Sequence, residues 1–104
     1  MSGFNENRKE RSFYMLNPCG LHARPAAMLV KKAGQFKSDV LLEKDGICVD
    51  GKSLLKVLTL GVMMDEQVTV ITQGEDAAEA LDQLGDLFQC GFGEDDPDSC
   101  QAVS

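Results

Sequence analysis

The chain has 104 residues, 43% of them apolar, 26% charged and 6% aromatic with no Trp, which suffices for one compact domain with a small core of Leu, Val, Ala, Met and a few Phe. A net charge of -7 and a pI near 4.5 oppose binding to nucleic acid or an anionic membrane, so neither is expected as a partner. The four cysteines, Cys19, Cys48, Cys90 and Cys100, form no C-x-x-C pair and read as thiols of a reducing compartment, with Cys48 and Cys90 as buried or half-buried apolar side chains. With neither a signal-peptide stretch nor an apolar run of roughly 18 residues, the expected location is the cytoplasm.

Residues 1–10 are polar and aperiodic and read as a flexible extension, residues 11–92 as the folded domain, and residues 93–104, with Glu94, Asp95, Asp96 and Asp98, as an acidic flexible tail. Alternation in Arg11 to Leu16, with Phe13 and Met15 on one face, predicts a first strand. Asn17, Pro18 and Gly20 break it. Ala26, Leu29, Val30 and Ala33 recur at helical spacing and predict a helix from Ala23 to Gly34. Ser38 to Glu43 and Ile47 to Asp50 read as antiparallel strands joined by a tight turn at Asp45-Gly46. Ser53 precedes a short helix through Leu54, Leu55, Val57 and Leu58 that should stop near Gly61, and its hydroxyl is placed to cap it. Gln67 to Gln73 is a β-branched strand. Asp76 with Glu79 resembles a capping box before a last helix whose stripe is Ala77, Ala80, Leu81, Leu84, Leu87 and Phe88. The order β-α-β-β-α-β-α gives an α+β open-faced β-sandwich, a four-stranded antiparallel sheet with three helices on one face.

The single histidine, His22, falls where the first strand gives way to the first helix. There it is the expected N-cap, and Pro25 lies in the first turn, where a missing N–H breaks no helical bond. The free amides of Ala23 and Arg24 and the positive end of the helix favour a bound phosphate, and the planar guanidinium of Arg24 suits phosphoryl oxygens. A neutral ring nitrogen in that place is a nucleophile. Cys19 and His22 have C-x-x-H spacing, but no further ligands accompany them, so neither a metal nor another cofactor is expected. Met63 and Met64 read as core or turn packing.

The segment Gly20-Leu21-His22-Ala23-Arg24-Pro25-Ala26-Ala27 resembles the active-site signature of the HPr phosphocarriers of the bacterial phosphoenolpyruvate-dependent phosphotransferase system. Lys52 to Gly61 resembles that family's second signature, which contains a serine phosphorylated by a regulatory kinase in some members. The resemblance implies that His22 is the phosphoryl acceptor and an exposed nucleophile, that Arg24 is its electrostatic partner and that Ser53 is a regulatory phosphorylation site. It implies enzyme I as donor and enzyme IIA domains as acceptors, with an HPr kinase/phosphorylase or transcriptional regulators as further partners, for a monomeric carrier. Leu21, Leu54 and Leu55 are the expected docking residues. The alternative is an HPr-like regulatory module that signals through phosphorylation at His22 or Ser53.

Overall fold

The computed structural model describes residues 7–93. Its elements are β1 (Arg8–Tyr14), α1 (Ala23–Ala33), β2 (Asp39–Lys44), β3 (Ile47–Asp50), α2 (Leu54–Leu60), β4 (Gln67–Gln73) and α3 (Ala77–Gln89), closed by a 3-10 turn at Gly91–Gly93. The sheet order is β1-β4-β2-β3 and every neighbouring pair is antiparallel, so the open-faced sandwich expected from the element order is the observed fold. The stretches 1–6 and 94–104 of the expected extension and tail lie outside the described residues.

β1 begins at Arg8, three residues before the predicted strand. Arg8, Lys9 and Glu10 pair with Gln73, Thr72 and Ile71 through the backbone ladder, which needs no apolar side chain. All three side chains are exposed, so the first half of the strand carries no hydrophobic alternation to read. At the next turn the prediction from Asp-Gly holds. Asp45 (φ 53°) and Gly46 (φ 83°) are both left-handed, the backbone that a two-residue hairpin of this twist requires.

The helices meet the sheet through one apolar layer. α1 buries Pro25, Ala26, Leu29 and Ala33, and α3 buries Ala77, Ala80, Leu81, Leu84, Gly85 and Phe88. Against them lie Phe13, Val40, Leu42, Val68 and Val70 from the sheet. Phe88 stacks on Phe13 with ring centroids 5.1 Å apart and meets Phe92 edge-on at 5.0 Å. Gly85 lets Phe13 come this close to α3, since a Cβ there would stand 2.8 Å from Cζ of the ring. Burying such a side chain contributes roughly 1.5–3 kcal/mol.

Asp76 is the N-cap residue of α3 but makes no side-chain cap bond. Its carboxylate turns to the segment before β2, accepting hydrogen bonds from the Lys37 and Ser38 amides at 2.9 Å each and from the Ser38 hydroxyl. Those bonds hold the Asp76 carboxyl below its ordinary range, the Ser38 hydroxyl being the main cause and the Lys37 amide the next. Glu79, expected to complete a capping box, instead accepts from Gln83 one turn on, at 3.1 Å. The same tie explains why β2 starts at Asp39 rather than Ser38, because the Ser38 amide is given to Asp76 and not to a ladder.

Cys48 and Cys90 carry free thiols and are exposed, not buried. Cys48 lies on β3, the outer strand of the sheet among the described residues, and Cys90 follows the last residue of α3. Cys19 is disulfide-bonded, which corrects the thiol reading at that position. The spacing of cysteines along a chain says nothing about which of them approach within bonding reach.

Candidate active site

Between β1 and α1 the chain runs from Met15 to His22 without regular structure, and its shape is set by supports from elsewhere. The Met15 amide donates to the Glu66 carbonyl at 2.9 Å, and the Met15 carbonyl accepts from the Asp65 amide at 2.7 Å. The buried Asn17 donates from Nδ2 to the Gly91 carbonyl at 2.7 Å, and its own carbonyl accepts from the Gly20 amide at 2.9 Å. The Leu21 amide donates to the Val62 carbonyl at 2.8 Å. Gly20 is left-handed (φ 68°) and sits so close to the α2–β4 loop that a Cβ would fall 2.2 Å from the Val62 oxygen and 2.8 Å from Met63 Cα. Only glycine fits both the backbone angle and the space.

His22 is the N-cap of α1, extended at φ -85° and ψ -167°, and its carbonyl accepts from the Ala26 amide at 2.9 Å. Its side chain makes no cap bond to the first turn. The first turn leaves the amides of Ala23 and Arg24 without an intrahelical carbonyl, and Pro25 has no amide to satisfy. Ala23 and Arg24 are exposed. His22 and Arg24 therefore share the positive end of one helix, where an anion is favoured by the dipole as well as by the guanidinium.

Two placements correct the sequence reading. His22 is half-buried with both ring nitrogens shielded from solvent, where an exposed nucleophile was expected. The residue sits where the irregular loop gives way to α1, at intermediate burial. Leu21, expected as a docking contact, is 4% exposed and part of the core. Its apolar side chain anchors the loop from inside, which is why the next residue can be held at the helix mouth.

Ser53 caps α2, its hydroxyl accepting from the Lys56 amide at 3.4 Å, a long and weak bond. Leu55 is 76% exposed on α2, and Leu54 beside it is exposed as well. Met63 and Met64, read from sequence as packing residues, are exposed at 57% and 47% on the same loop that supports Gly20 and Leu21. The sequence reading also passed over Lys44 and Glu66. Lys44 Nζ donates to the Gly61 carbonyl at 2.9 Å and pairs with Glu66 Oε1 at 2.8 Å, and that oxygen accepts from the Met63 amide at 2.7 Å. Lys44 first and the Met63 amide second hold the Glu66 carboxyl below its ordinary range. The signal was a lone Lys and a lone Glu 22 positions apart in sequence, which no local pattern joins. Among the described residues no cluster of three His, Cys, Asp or Glu could hold a metal, and no helix is long and apolar enough to cross a membrane.

Comparison with known proteins bears on this arrangement. Residues 9–89 match the model of the family described as the PTS HPr component phosphorylation site. The HPr-like protein Crh of Bacillus subtilis is 50% identical over 70 residues, covering 67% of this chain and 82% of that protein. A multiphosphoryl transfer protein of Vibrio cholerae is 44% identical over 86 residues, which are 80% of this chain but only 22% of that longer protein. Among solved structures, HPr of Thermoanaerobacter tengcongensis superposes with a TM-score of 0.81 at 40% identity, covering 84% of this chain and 98% of that one. A crystal structure of Crh, described as a swapped dimer, gives 0.65 at 47% identity over 71% of this chain and 85% of that one.

Proposed function

The chain belongs to the HPr family of phosphotransferase-system proteins, and from that premise we propose that it takes a phosphoryl group from phosphorylated enzyme I onto His22 and passes it to an enzyme IIA domain in the cytoplasm. In the first step a ring nitrogen of His22 attacks phosphorus, and the bond from phosphorus to the donor breaks as the N–P bond forms. The second step reverses these roles toward the acceptor. The chain supplies orientation and charge: the Ala23 and Arg24 amides lie in the first turn of α1, and the exposed Arg24 brings a guanidinium to the helix end where phosphoryl oxygens would gather. Leu54 and Leu55, exposed on α2, give donor and acceptor an apolar surface to share. The observation that carries this reading is the placement of the single histidine at the N-cap of α1, in the same helix mouth as the exposed Arg24.

The test is incubation with phosphoenolpyruvate and enzyme I. Acid-labile label should appear on the wild type and be missing from His22→Ala, and label on His22→Ala at the wild-type level would refute the acceptor assignment.

The 50% identity to Crh favours a second reading, a regulatory module that signals through its phosphorylation state at His22 or Ser53 to an HPr kinase/phosphorylase or to transcriptional regulators. Phosphate on Ser53 would put negative charge beside Leu54 and Leu55, so the modified chain would dock differently. Acid-stable label mapping to Ser53 selects that reading. The carrier is proposed as a monomer, and light scattering at twice the 11.3 kDa chain mass would place it instead with the relative described as a swapped dimer.

A further inference from the structure

We infer that the Lys44–Glu66 pair is a positioning device for His22, acting through the backbone of the α2–β4 loop. Neither residue belongs to the loop that carries the histidine. Lys44 ends β2 and is 15% exposed at its side chain, Glu66 lies just before β4, and the two reach a single stretch of chain from opposite ends.

An isolated exposed ion pair would do little, because such pairs contribute about 0–1 kcal/mol in general and hold nothing in place. This one is built into the backbone. Lys44 Nζ holds the Gly61 carbonyl, Glu66 Oε1 holds the Met63 amide, and the 2.8 Å contact between them closes a brace across residues 61–66. Val62 lies between the two held points, and its carbonyl is what receives the Leu21 amide. Glu66 adds a second link, because its own carbonyl receives the Met15 amide. The histidine loop is therefore tied at both ends, at Met15 and at Leu21, to the segment that Lys44 and Glu66 brace.

The segment has reason to need bracing. Gly61 (φ 64°) and Asp65 (φ 70°) both adopt left-handed backbone, and for a non-glycine residue such a conformation persists only when its surroundings over-determine it. With the brace loosened, Asp65 relaxes, Val62 moves, and the contact under Gly20 and Leu21 moves with it. His22 follows Leu21 directly, so the direction in which its ring leaves the helix mouth depends on that carbonyl. Lys44 and Glu66 act through other groups and touch no reacting atom, which makes them positioning residues.

The part of this inference that concerns transfer rests on the phosphocarrier reading, so the experiment has one readout that does not. Lys44→Met keeps the aliphatic bulk and removes the ammonium, Glu66→Gln keeps the shape and removes the charge, and Lys44→Arg restores a donor; all are made in the full chain. Native-state hydrogen exchange followed by NMR should show the Leu21 amide exchanging about tenfold faster in Lys44→Met and Glu66→Gln, with the Val70 amide in central β4 changed far less. His22 ring resonances should shift in the same two variants, and Lys44→Arg should return both signals toward wild type. In phosphoryl acceptance from enzyme I, kcat should fall by about tenfold, the cost of a slightly misplaced nucleophile, with KM unchanged because Leu54 and Leu55 are untouched. An unchanged Leu21 amide, or a Leu21 and Val70 response of equal size, overturns the inference. A wild type that accepts no phosphoryl group defeats the phosphocarrier reading alone, and the exchange data still decide the brace.

Discussion

Replacing Gly20 with alanine tests how the histidine loop is seated. Two costs are legible in the structure. A left-handed backbone costs an L-residue about 1–2 kcal/mol, and Gly20 has φ 68°. The new Cβ would also stand 2.2 Å from the Val62 oxygen, a backbone atom that cannot swing away as a side-chain tip can. Relief requires the two loops to part, which breaks the 2.8 Å Leu21–Val62 bond, a further loss of about 0.5–1.5 kcal/mol. Together these come to about 1.5–3.5 kcal/mol, or roughly 6–28 °C in Tm for a domain of this size. Gly46→Ala is the matched control, since Gly46 also has positive φ (83°) but nothing lies within 4 Å of its Cβ position. Thermal melts followed by circular dichroism should show Gly20→Ala losing clearly more than Gly46→Ala. Equal losses would mean that the close approach to Val62 contributes nothing and that only the backbone angle matters.

Arg24→Ala, on an exposed side chain, should leave Tm within a degree or two and slow phosphoryl acceptance by about 10–100-fold; a variant that unfolds instead would make Arg24 structural. Leu55→Ala should raise KM for protein donors and acceptors several-fold without altering Tm, and unchanged kinetics would remove that residue from the docking surface. Asp76 has a folded-state carboxyl below its unfolded value, so its bonds to Ser38 and Lys37 contribute stability that is complete above the ordinary Asp range and drains away as pH falls through the depressed folded value. Asp76→Asn should therefore be less stable at neutral pH and show a shallower loss on acidification, as read from denaturant midpoints across the acid range. Parallel pH curves for the two proteins would refute that tie.

Where side-chain patterning carries the information, the sequence was a sufficient guide. The β-branched run Gln67–Gln73 and the hairpin strand Ile47–Asp50 were predicted with their observed ends, and His22 was placed at the helix start where the backbone has it. What escaped reading was of two kinds. Backbone pairing extended β1 to Arg8 under side chains that never see the core, so periodicity had nothing to register. Tertiary partners redirected polar side chains whose local context suggested something else. Asp76 bonds to Ser38 rather than capping its own helix, and Lys44 and Glu66 meet only because the hairpin brings the end of β2 beside the α2–β4 loop. Leu21 and the methionines failed in opposite directions for one reason. In an irregular loop no period says which side faces in, so Leu21 proved buried and Met63 and Met64 exposed.

The histidine loop takes its shape from Val62, Asp65, Glu66 and Gly91, all of them far downstream of the segment they hold. A chain still emerging from the ribosome would possess the signature before the scaffold that orients it, and one cut before Gly91 would lack the carbonyl that holds Asn17. The segment around His22 would then be fully seated only once the last turn has closed over Asn17.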